Sequence, residues 1–183
     1  MSPPDPAPTA DRAGGAPVLE PALLHRHDGL ELLRMLLDGR LPMAPIATTL
    51  AFRLVAVERG RVAFEGRPGP FVYNLHGTVH GGWGATLLDS ALGCAVLSVL
   101  PAGVSYTTTE LSIRYVRPLR EENGPVRAEA AIVHAGRRLA TAEGRLVGVA
   151  DGRLYAHGAT SCLVLPLSPE GGLQAGAGAA SSP

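Results

Sequence analysis

The spacing of hydrophobic residues first predicts a short helix near the start of the chain. The segment DGLELLRMLLDG, residues 28–39, has leucines and a methionine at helical spacing. Asp28 is a candidate N-cap for this helix, and Gly39 is a candidate stop. Residues 45–50 add at most one further helical turn. An amphipathic helix therefore precedes the rest of the fold.

A β-hairpin is predicted next, followed by a loop. Alternating apolar and polar residues predict strands over roughly 50–58 and 61–68, with Glu58 to Arg61 as the turn between them. Residues 68–78 are rich in Gly, Pro and Asn, which predicts a loop.

The segment 79–100, VHGGWGATLLDSALGCAVLSVL, is apolar on nearly every side. A helix that is apolar all round is a buried helix, and Pro101 to Gly103 ends it. Four segments with strand alternation follow, over 105–119, 125–136, 137–151 and 153–167. The last three are joined by tight turns, so they are expected to be antiparallel neighbours. One antiparallel sheet can bury one face against the helix, and the far side of the helix needs a second cover, which a second subunit can supply.

The two ends of the chain lack this periodicity. Residues 1–24 and 168–183 are rich in Pro, Ala, Gly and Ser, which predicts disordered tails around one domain over 25–167. The start of the chain has no basic stretch followed by an apolar run, so it does not predict a secretory signal. No run of eighteen or more apolar residues predicts a membrane span, and we expect a cytoplasmic protein.

Composition narrows the functional classes. The 183 residues carry 16 basic and 16 acidic side chains, and this balance argues against broad binding to nucleic acid or to anionic membranes. Cys94 and Cys162 are far apart in apolar contexts, and buried thiols are the simpler interpretation. His76 and His80 have an i, i+4 spacing, but Gly77 interrupts a helix there and no third ligand is evident, so no metal site is predicted.

The stretch NLHGTVHGGWGATLLDSALG, residues 74–93, concentrates the candidate chemistry. Asp89 in an apolar helix is costly unless something pairs with it or uses it. A structural pairing with an arginine is the alternative, but no basic residue lies within two turns of it. The amides of Gly81 and Gly82 at the helix start can donate to a carbonyl that becomes an oxyanion; equally, the glycines can simply turn the chain.

Helix geometry separates these two groups. Asp89 follows His80 by nine positions, about 180° around the helix and about 13 Å along it. If both act on one substrate atom, they must come from two chains whose helices run antiparallel across a two-fold axis. No GxSxG elbow or P-loop is present, which leaves a carboxylate acting on an activated acyl group.

The layout and the motif NLHGTVHGG, followed by an acid and then by TTTELSIRYVRPL, resemble the hotdog-fold acyl-CoA thioesterases of the phenylacetate-pathway (PaaI) type over about 28–166. The resemblance implies an α+β hotdog fold, in which an antiparallel β-sheet wraps around one long central helix. It implies hydrolysis of an acyl-CoA thioester in an active site shared between the subunits of a homodimer that assembles as a tetramer. Coenzyme A is part of the substrate, so no cofactor is implied.

Roles follow from the resemblance position by position. Asp89 would be the base that activates water or the nucleophile, and the Gly81 amide would bind the thioester oxygen. His80 would orient the loop, Asn74 would position the water or the carboxylate, and Thr108 would help to hold the water. One departure is that Gly93 stands where some relatives place Ser or Thr, one turn after the acid.

Substrate contacts are also expected. Gly82 lets a substrate approach the backbone, and Trp83 and Tyr73 are candidate walls of the acyl pocket, with core packing as the alternative. Candidates for the coenzyme A phosphates are Arg117, Arg137 and Arg138; solvated surface positions are the alternative for each. Aryl, phenylacetyl and medium-chain acyl groups all remain open. Acyl-thioester hydration or dehydration, and acyl-CoA binding without catalysis, are the alternative functions.

Overall fold

A computed structural model describes residues 19–170, 172 and 173. Most of the two predicted tails, 1–24 and 168–183, lies outside these residues. Within the first tail, however, residues 21–24 begin a short helix, α1 (Pro21–Arg26). Long-range contacts hold it, since Leu24 O accepts a 2.9 Å hydrogen bond from the Gly103 N–H. Local composition carries no signal of such a contact.

Three further helices form where the apolar spacing predicts them: α2 (Gly29–Leu37), α3 (Pro45–Thr49) and α4 (Gly81–Leu97). Asp28 caps α2, because its Oδ1 accepts a 2.8 Å hydrogen bond from the Glu31 N–H while the Glu31 carboxylate accepts from the Asp28 N–H. This reciprocal pair is a capping box, and it satisfies two of the amide donors at the start of α2. Gly39 follows the helix with a φ of 71°, a conformation that glycine adopts without strain.

Six strands form one antiparallel sheet. They are β1 (Phe52–Glu58), β2 (Arg61–Gly66), β3 (Val104–Tyr115), β4 (Val126–Ala135), β5 (Leu139–Gly148) and β6 (Leu154–Pro166). The spatial order is β1-β2-β4-β5-β6-β3, so the strand that follows the central helix lies at the far edge, beside β6. The last three strands are antiparallel neighbours, as the tight turns between them predict.

The sheet packs against α4, which confirms the predicted hotdog fold. Large side chains of α4 are fully buried, among them Leu87, Leu88 and Leu92. The sheet positions that face them are mostly small: Ala128, Ala130, Ala140, Ala142 and Ala156. Small strand residues opposite large helix residues let the two layers interdigitate at the density of a protein interior. No helix among the described residues is long and apolar enough to cross a membrane.

One stripe of α4 remains only half-buried by this chain. It includes Ala85, Thr86, Asp89 and Ser90. The Thr86 and Ser90 hydroxyls bond back to helix carbonyls one turn earlier, each at 2.9 Å. Asp89 is the one residue of this stripe with a charged side chain. The sheet therefore covers the apolar sides of α4 and leaves the side that carries the acid partly open.

Candidate active site

The α4 helix begins at a histidine whose side chain is part of the helix cap. His80 has extended backbone angles (φ −63°, ψ 132°), and its Nδ1 accepts a 2.9 Å hydrogen bond from the Gly82 N–H. A neutral imidazole that accepts at Nδ1 has its proton on Nε2. The Gly81 N–H donates to no acceptor in the described part of the chain. Gly81 therefore presents an unpaired amide at the positive end of the α4 macrodipole.

A cavity of about 320 Å³ opens against this helix start, with His80, Gly81, Tyr115 and Arg117 among its lining residues. The Tyr115 hydroxyl donates a 2.6 Å hydrogen bond to the Gly81 carbonyl, and the side chain packs so closely that a Cβ on Gly81 would be 3.2 Å from Tyr115 Cζ. Arg117 Nη1 donates to Leu154 O at 2.7 Å, which holds the guanidinium at the cavity. Of the predicted substrate-binding residues, Arg117 is thus brought together with Gly81.

Asp89 lies two turns further along α4. Its Oδ1 accepts a hydrogen bond of 3.3 Å from the Thr108 hydroxyl, so the structure brings these two predicted residues into contact. No basic side chain of the described residues forms an ion pair with the carboxylate. Burial raises the pKa of the Asp89 carboxyl above its ordinary value of 3.8, and the Thr108 hydrogen bond opposes this rise. An acid without a cationic partner favours a chemical role over a structural ion pair.

A β-bulge in β3 aims Thr108 at this carboxylate. The pairing of β3 with β6 shifts register between Thr108 and Glu110, which leaves Thr109 as the extra residue. Side chains alternate along a strand, so Thr108 and Tyr115 would face opposite sides of a regular strand. The bulge changes this alternation, and both side chains face α4, Thr108 at Asp89 and Tyr115 at Gly81.

The unpaired amide and the carboxylate do not meet within one chain. Gly81 and Asp89 are eight residues apart on α4, a separation of about 12 Å along the axis. Each protomer therefore carries the Gly81 amide at one end of this stretch of α4 and the Asp89 carboxylate at the other end.

Asn74 organises the loop that leads to the helix start. Its Oδ1 accepts from the His76 and Thr78 N–H groups at 2.9 and 3.3 Å, and its Nδ2 donates to the Thr78 hydroxyl at 2.8 Å. Both polar atoms of the side chain are thus engaged inside the loop. Asn74 does not contact Asp89 of the same chain.

The two candidate aromatic walls have other contacts. Trp83 is buried in the core, where its indole N–H donates to Leu50 O at 2.8 Å. The Tyr73 hydroxyl donates to Glu121 at 3.1 Å. Neither lines the cavity at Gly81. Trp83 thus packs in the core of this chain, and a role for either residue as a wall of the acyl pocket stays a prediction.

Arg137 and Arg138 are exposed between β4 and β5, and neither lines the cavity at Gly81. Their contact with coenzyme A stays a prediction. The described residues contain no group of three or more His, Cys, Asp or Glu side chains arranged to hold a metal ion.

Two tyrosines of β3 were not among the predicted site residues. Tyr115 contacts Gly81, and the hydroxyl end of Tyr106 packs on α4 at Gly93, where a Cβ would lie nearest the Tyr106 hydroxyl oxygen and 2.8 Å from Cζ. The available signal was the presence of Gly81 and Gly93 in the predicted helix segment. Glycine in a helix costs about 1 kcal/mol, and its presence there points to the close approach of another group.

Comparison with known proteins agrees with this architecture. The sequence model of the thioesterase superfamily matches residues 76–153, which include His80, Gly81, Asp89 and Thr108. A protein of Halobacterium salinarum named as a candidate esterase is 43% identical over 77 residues, covering 41% of this chain. The chain spans about half, 49%, of the length of that curated relative.

Solved structures with the same fold include two that are named for phenylacetic acid degradation. A candidate thioesterase of Ralstonia eutropha, described as related to phenylacetic acid degradation, is 27% identical with a TM-score of 0.65, over 72% of this chain and 98% of that one. A mutant of the phenylacetic acid degradation protein PaaI of Thermus thermophilus is 28% identical with a TM-score of 0.59, over 66% of this chain and 98% of that one.

The Asp89→Asn variant is expected to have a higher free energy of unfolding than the parent chain at neutral pH. Because burial raises the pKa of Asp89, the folded chain keeps its proton to a higher pH than the unfolded chain. The protonated carboxyl makes its full contribution to the free energy of unfolding below pH 3.8, and this contribution is lost as the pH rises through the raised pKa of the folded chain. Denaturant unfolding of both chains at neutral pH and below pH 3.8 measures the difference.

The higher free energy of unfolding of Asp89→Asn, relative to the parent chain, should be observed at neutral pH and should become smaller at the acidic pH. Asp38→Asn, at the exposed C-cap of α2, is the matched control and should show no such gain. A parent chain that is the more stable of the two at neutral pH would contradict the burial argument.

Proposed function

Since this chain is a hotdog-fold member of the thioesterase superfamily with PaaI-type neighbours, we propose that it hydrolyses an acyl-CoA thioester to a free acid and coenzyme A. Asp89 acts as the base or the nucleophile, and the Gly81 amide of the second protomer binds the thioester oxygen. The observation that carries this proposal is the half-buried Asp89 carboxylate, which has a hydroxyl donor and, among the described residues, no cation paired with it.

The charge on this carboxylate has a chemical use. Partial desolvation raises the pKa of this carboxyl, although the hydrogen bond from Thr108 opposes the rise, and a raised pKa makes Asp89 a stronger base than an exposed aspartate. In the water-activating route, Asp89 takes a proton from a water whose oxygen attacks the thioester carbonyl carbon. In the nucleophilic route, its own oxygen attacks, and water later hydrolyses the mixed anhydride. Both routes remain part of the proposal.

The negative charge that develops on the thioester carbonyl oxygen during the reaction needs a hydrogen-bond donor. The Gly81 N–H has no acceptor in the part of the chain that the structure describes, and Gly81 begins a helix of 17 residues and lines a cavity. An amide in this position stabilises an oxyanion through a hydrogen bond and through the helix dipole. When the oxyanion collapses, the C–S bond breaks, and in the water-activating route the coenzyme A thiolate takes the proton that Asp89 holds.

His80 and Asn74 have supporting roles in this proposal. The Nδ1 cap of His80 fixes the first turn of α4 and occupies the Gly82 amide, so that Gly81 is the donor left for the substrate. The Asn74 side chain holds the preceding loop in place. Arg117, at the cavity, supplies the positive charge for a coenzyme A phosphate.

A dimer is required, because Asp89 and Gly81 of one chain are too far apart to share one substrate carbonyl. The free edge of the sheet offers the surface for it. β3 has twelve residues and no neighbour on its outer side among the described strands, and its Leu111 and Tyr115 side chains are exposed. Antiparallel pairing of two β3 edges about a two-fold axis makes the two α4 helices antiparallel. Assembly of such dimers into a tetramer, like a cytoplasmic location, stays a prediction.

Asp89→Asn is expected to lower the rate of thioester hydrolysis by at least about 100-fold, the usual contribution of a general base. Release of free thiol from aryl-, phenylacetyl- and medium-chain acyl-CoA measures the rate. Asp38→Asn makes the same chemical change on an exposed cap and should keep the parental rate. An Asp89→Asn variant that is folded and fully active would remove the mechanism. Tight binding of acyl-CoA by the parent chain, with no turnover, would favour the non-catalytic alternative.

Gly81→Pro removes the one amide that the proposal assigns to the oxyanion. Proline is well tolerated at the first position of a helix, and His80 already has the extended conformation that a residue before proline requires. The variant should fold but lose about 100-fold to 1000-fold in kcat. Gly81→Ala is the matched control: it keeps the N–H, adds a methyl near the exposed Tyr115 ring and should retain most of the activity. Equal losses in both variants would show that bulk, and not the amide, matters.

A further inference from the structure

Two threonine hydroxyls that the proposed chemistry does not use hold the bulge in β3. The Thr160 hydroxyl, on β6, donates a 2.9 Å hydrogen bond to the Glu110 carbonyl oxygen. The Thr109 hydroxyl, on the extra residue of the bulge, donates a 3.0 Å hydrogen bond to the Ser161 carbonyl oxygen. A bulge disrupts the regular ladder of backbone hydrogen bonds, and buried carbonyl groups need donors. Side-chain donors from both strands therefore stabilise the shifted register.

Thr160 is the more informative of the two threonines, because it is buried. It is only 3% exposed, and Cys162, two residues further along β6, is fully buried. The hydroxyl of Thr160 has one proton, which the hydrogen bond to Glu110 uses, and Cys162 Sγ lies 3.8 Å from the hydroxyl oxygen. A buried hydroxyl that lost its acceptor would cost free energy. The bulged register of β3 supplies the acceptor that this hydroxyl needs.

The bulge decides which side chains of β3 reach α4. Thr108 lies before the bulge and donates to Asp89 at 3.3 Å, whereas Tyr115 lies after it and donates to the Gly81 carbonyl at 2.6 Å. The two donors are seven positions apart, so a regular strand would turn one of them to the outer face of the sheet. Loss of the bulge would then separate Thr108 from Asp89 or Tyr115 from Gly81.

We infer that Thr160 is a positioning residue for the proposed reaction: its hydroxyl holds the β3 bulge, and the bulge places the Thr108 hydroxyl at Asp89. The inference rests on the proposed thioesterase function and adds a residue that acts through β3 without touching the substrate. In the described part of the chain, Thr160 neither forms a hydrogen bond with Asp89 nor lines the cavity at Gly81. A change in catalysis on its substitution must therefore come through the geometry of β3.

The first measurement needs no activity. Crystal structures of the parent protein, Thr160→Val and Thr160→Ser give the separation of Thr108 Oγ1 and Asp89 Oδ1, which is 3.3 Å here. Valine has the shape of threonine without the hydroxyl, so in Thr160→Val we expect the bulge to move or disappear and the separation to exceed hydrogen-bond distance. Thr160→Ser keeps the hydroxyl and is the matched control, in which the bulge and the separation should stay as in the parent.

Thioester hydrolysis by the same variants is the second measurement. Thr160→Val should lose about tenfold in kcat, the usual contribution of a hydrogen bond to a charged group, with KM little changed. Thr160→Ser should keep the parental kcat, even though the lost methyl group lowers its free energy of unfolding. The double variant Thr108→Val/Thr160→Val should lose less than the product of the two single losses, because both changes remove the same hydrogen bond.

The pH profile separates a positioning role from a general effect on folding. The acid limb of kcat/KM reports the ionisation of Asp89, and the Thr108 hydrogen bond lowers the pKa of this carboxyl. Loss of that bond in Thr160→Val should therefore move the acid limb to higher pH, as in Thr108→Val. Burial raises the pKa of the other titratable groups that face Asp89 among the described residues, so they stay uncharged across this limb. These groups are Cys94 on α4, Tyr106 on β3 and Cys162 on β6.

A Thr160→Val variant that keeps Thr108 at Asp89 would overturn the inference, and so would one that loses this contact with kcat and the acid limb unchanged. Equal losses in Thr160→Val and Thr160→Ser, or fully multiplied losses in the double variant, would also overturn it. If Thr160→Val does not fold, Thr109→Val removes the other hydrogen bond of the bulge at an exposed position. It should change the separation, kcat and the acid limb in the same directions, and the absence of any change would contradict the inference.

Failure of the proposed function gives a different result. A parent protein that hydrolyses none of the acyl-CoA thioesters would overturn that function, whereas the separation of Thr108 and Asp89 in the crystals would still show whether Thr160 positions Thr108.

Discussion

The Asp89 carboxylate is the one charged side chain of α4, a mostly apolar helix of 17 residues, and no cation in the described part of the chain forms an ion pair with it. Removing a carboxylate from water without a counter-charge is costly, and here the compensation is one threonine hydroxyl. The sheet lowers that cost by covering the apolar sides of α4 and leaving the stripe with Asp89 half-open. Because the cover is partial, the carboxylate loses only part of its hydration and remains accessible to a substrate.

Helix geometry determines what the rest of the site must be. An amide at the first position of α4 and an acid two turns later lie too far apart to act on one carbonyl group. A two-fold axis that makes two such helices antiparallel brings the acid of one chain toward the amide of the other. The long free edge of β3 is the surface in this chain that suits such an axis, so oligomerisation and catalysis depend on the same strand.

The sequence predicts those features that depend on local patterns. The Asp28 cap, the hairpin turn at Gly60, the buried α4 and the order of the last three strands all follow from spacing and turn residues. The family resemblance implies that Asp89 and Thr108 serve one site, but it did not predict the direct hydrogen bond between them. The contact of Tyr115 with Gly81 was not predicted, because it depends on the β3 bulge, and the contact of Tyr106 with Gly93 was not predicted, because it depends on how β3 packs against α4. Strand alternation alone cannot show that Thr108 and Tyr115 face the same helix. The α1 helix was missed for a similar reason, since its stabilising contacts come from distant residues.

The shared site is tested most directly by a heterodimer purified through two different tags, with Asp89→Asn in one chain and Gly81→Pro in the other. One of its two sites would then contain both changes, and the other would combine an intact Asp89 with an intact Gly81. Each variant alone should be nearly inactive, whereas the heterodimer should recover about half of the parental activity per dimer, because two-fold symmetry leaves one site whole. A heterodimer as inactive as the two variants would contradict an active site built from two chains.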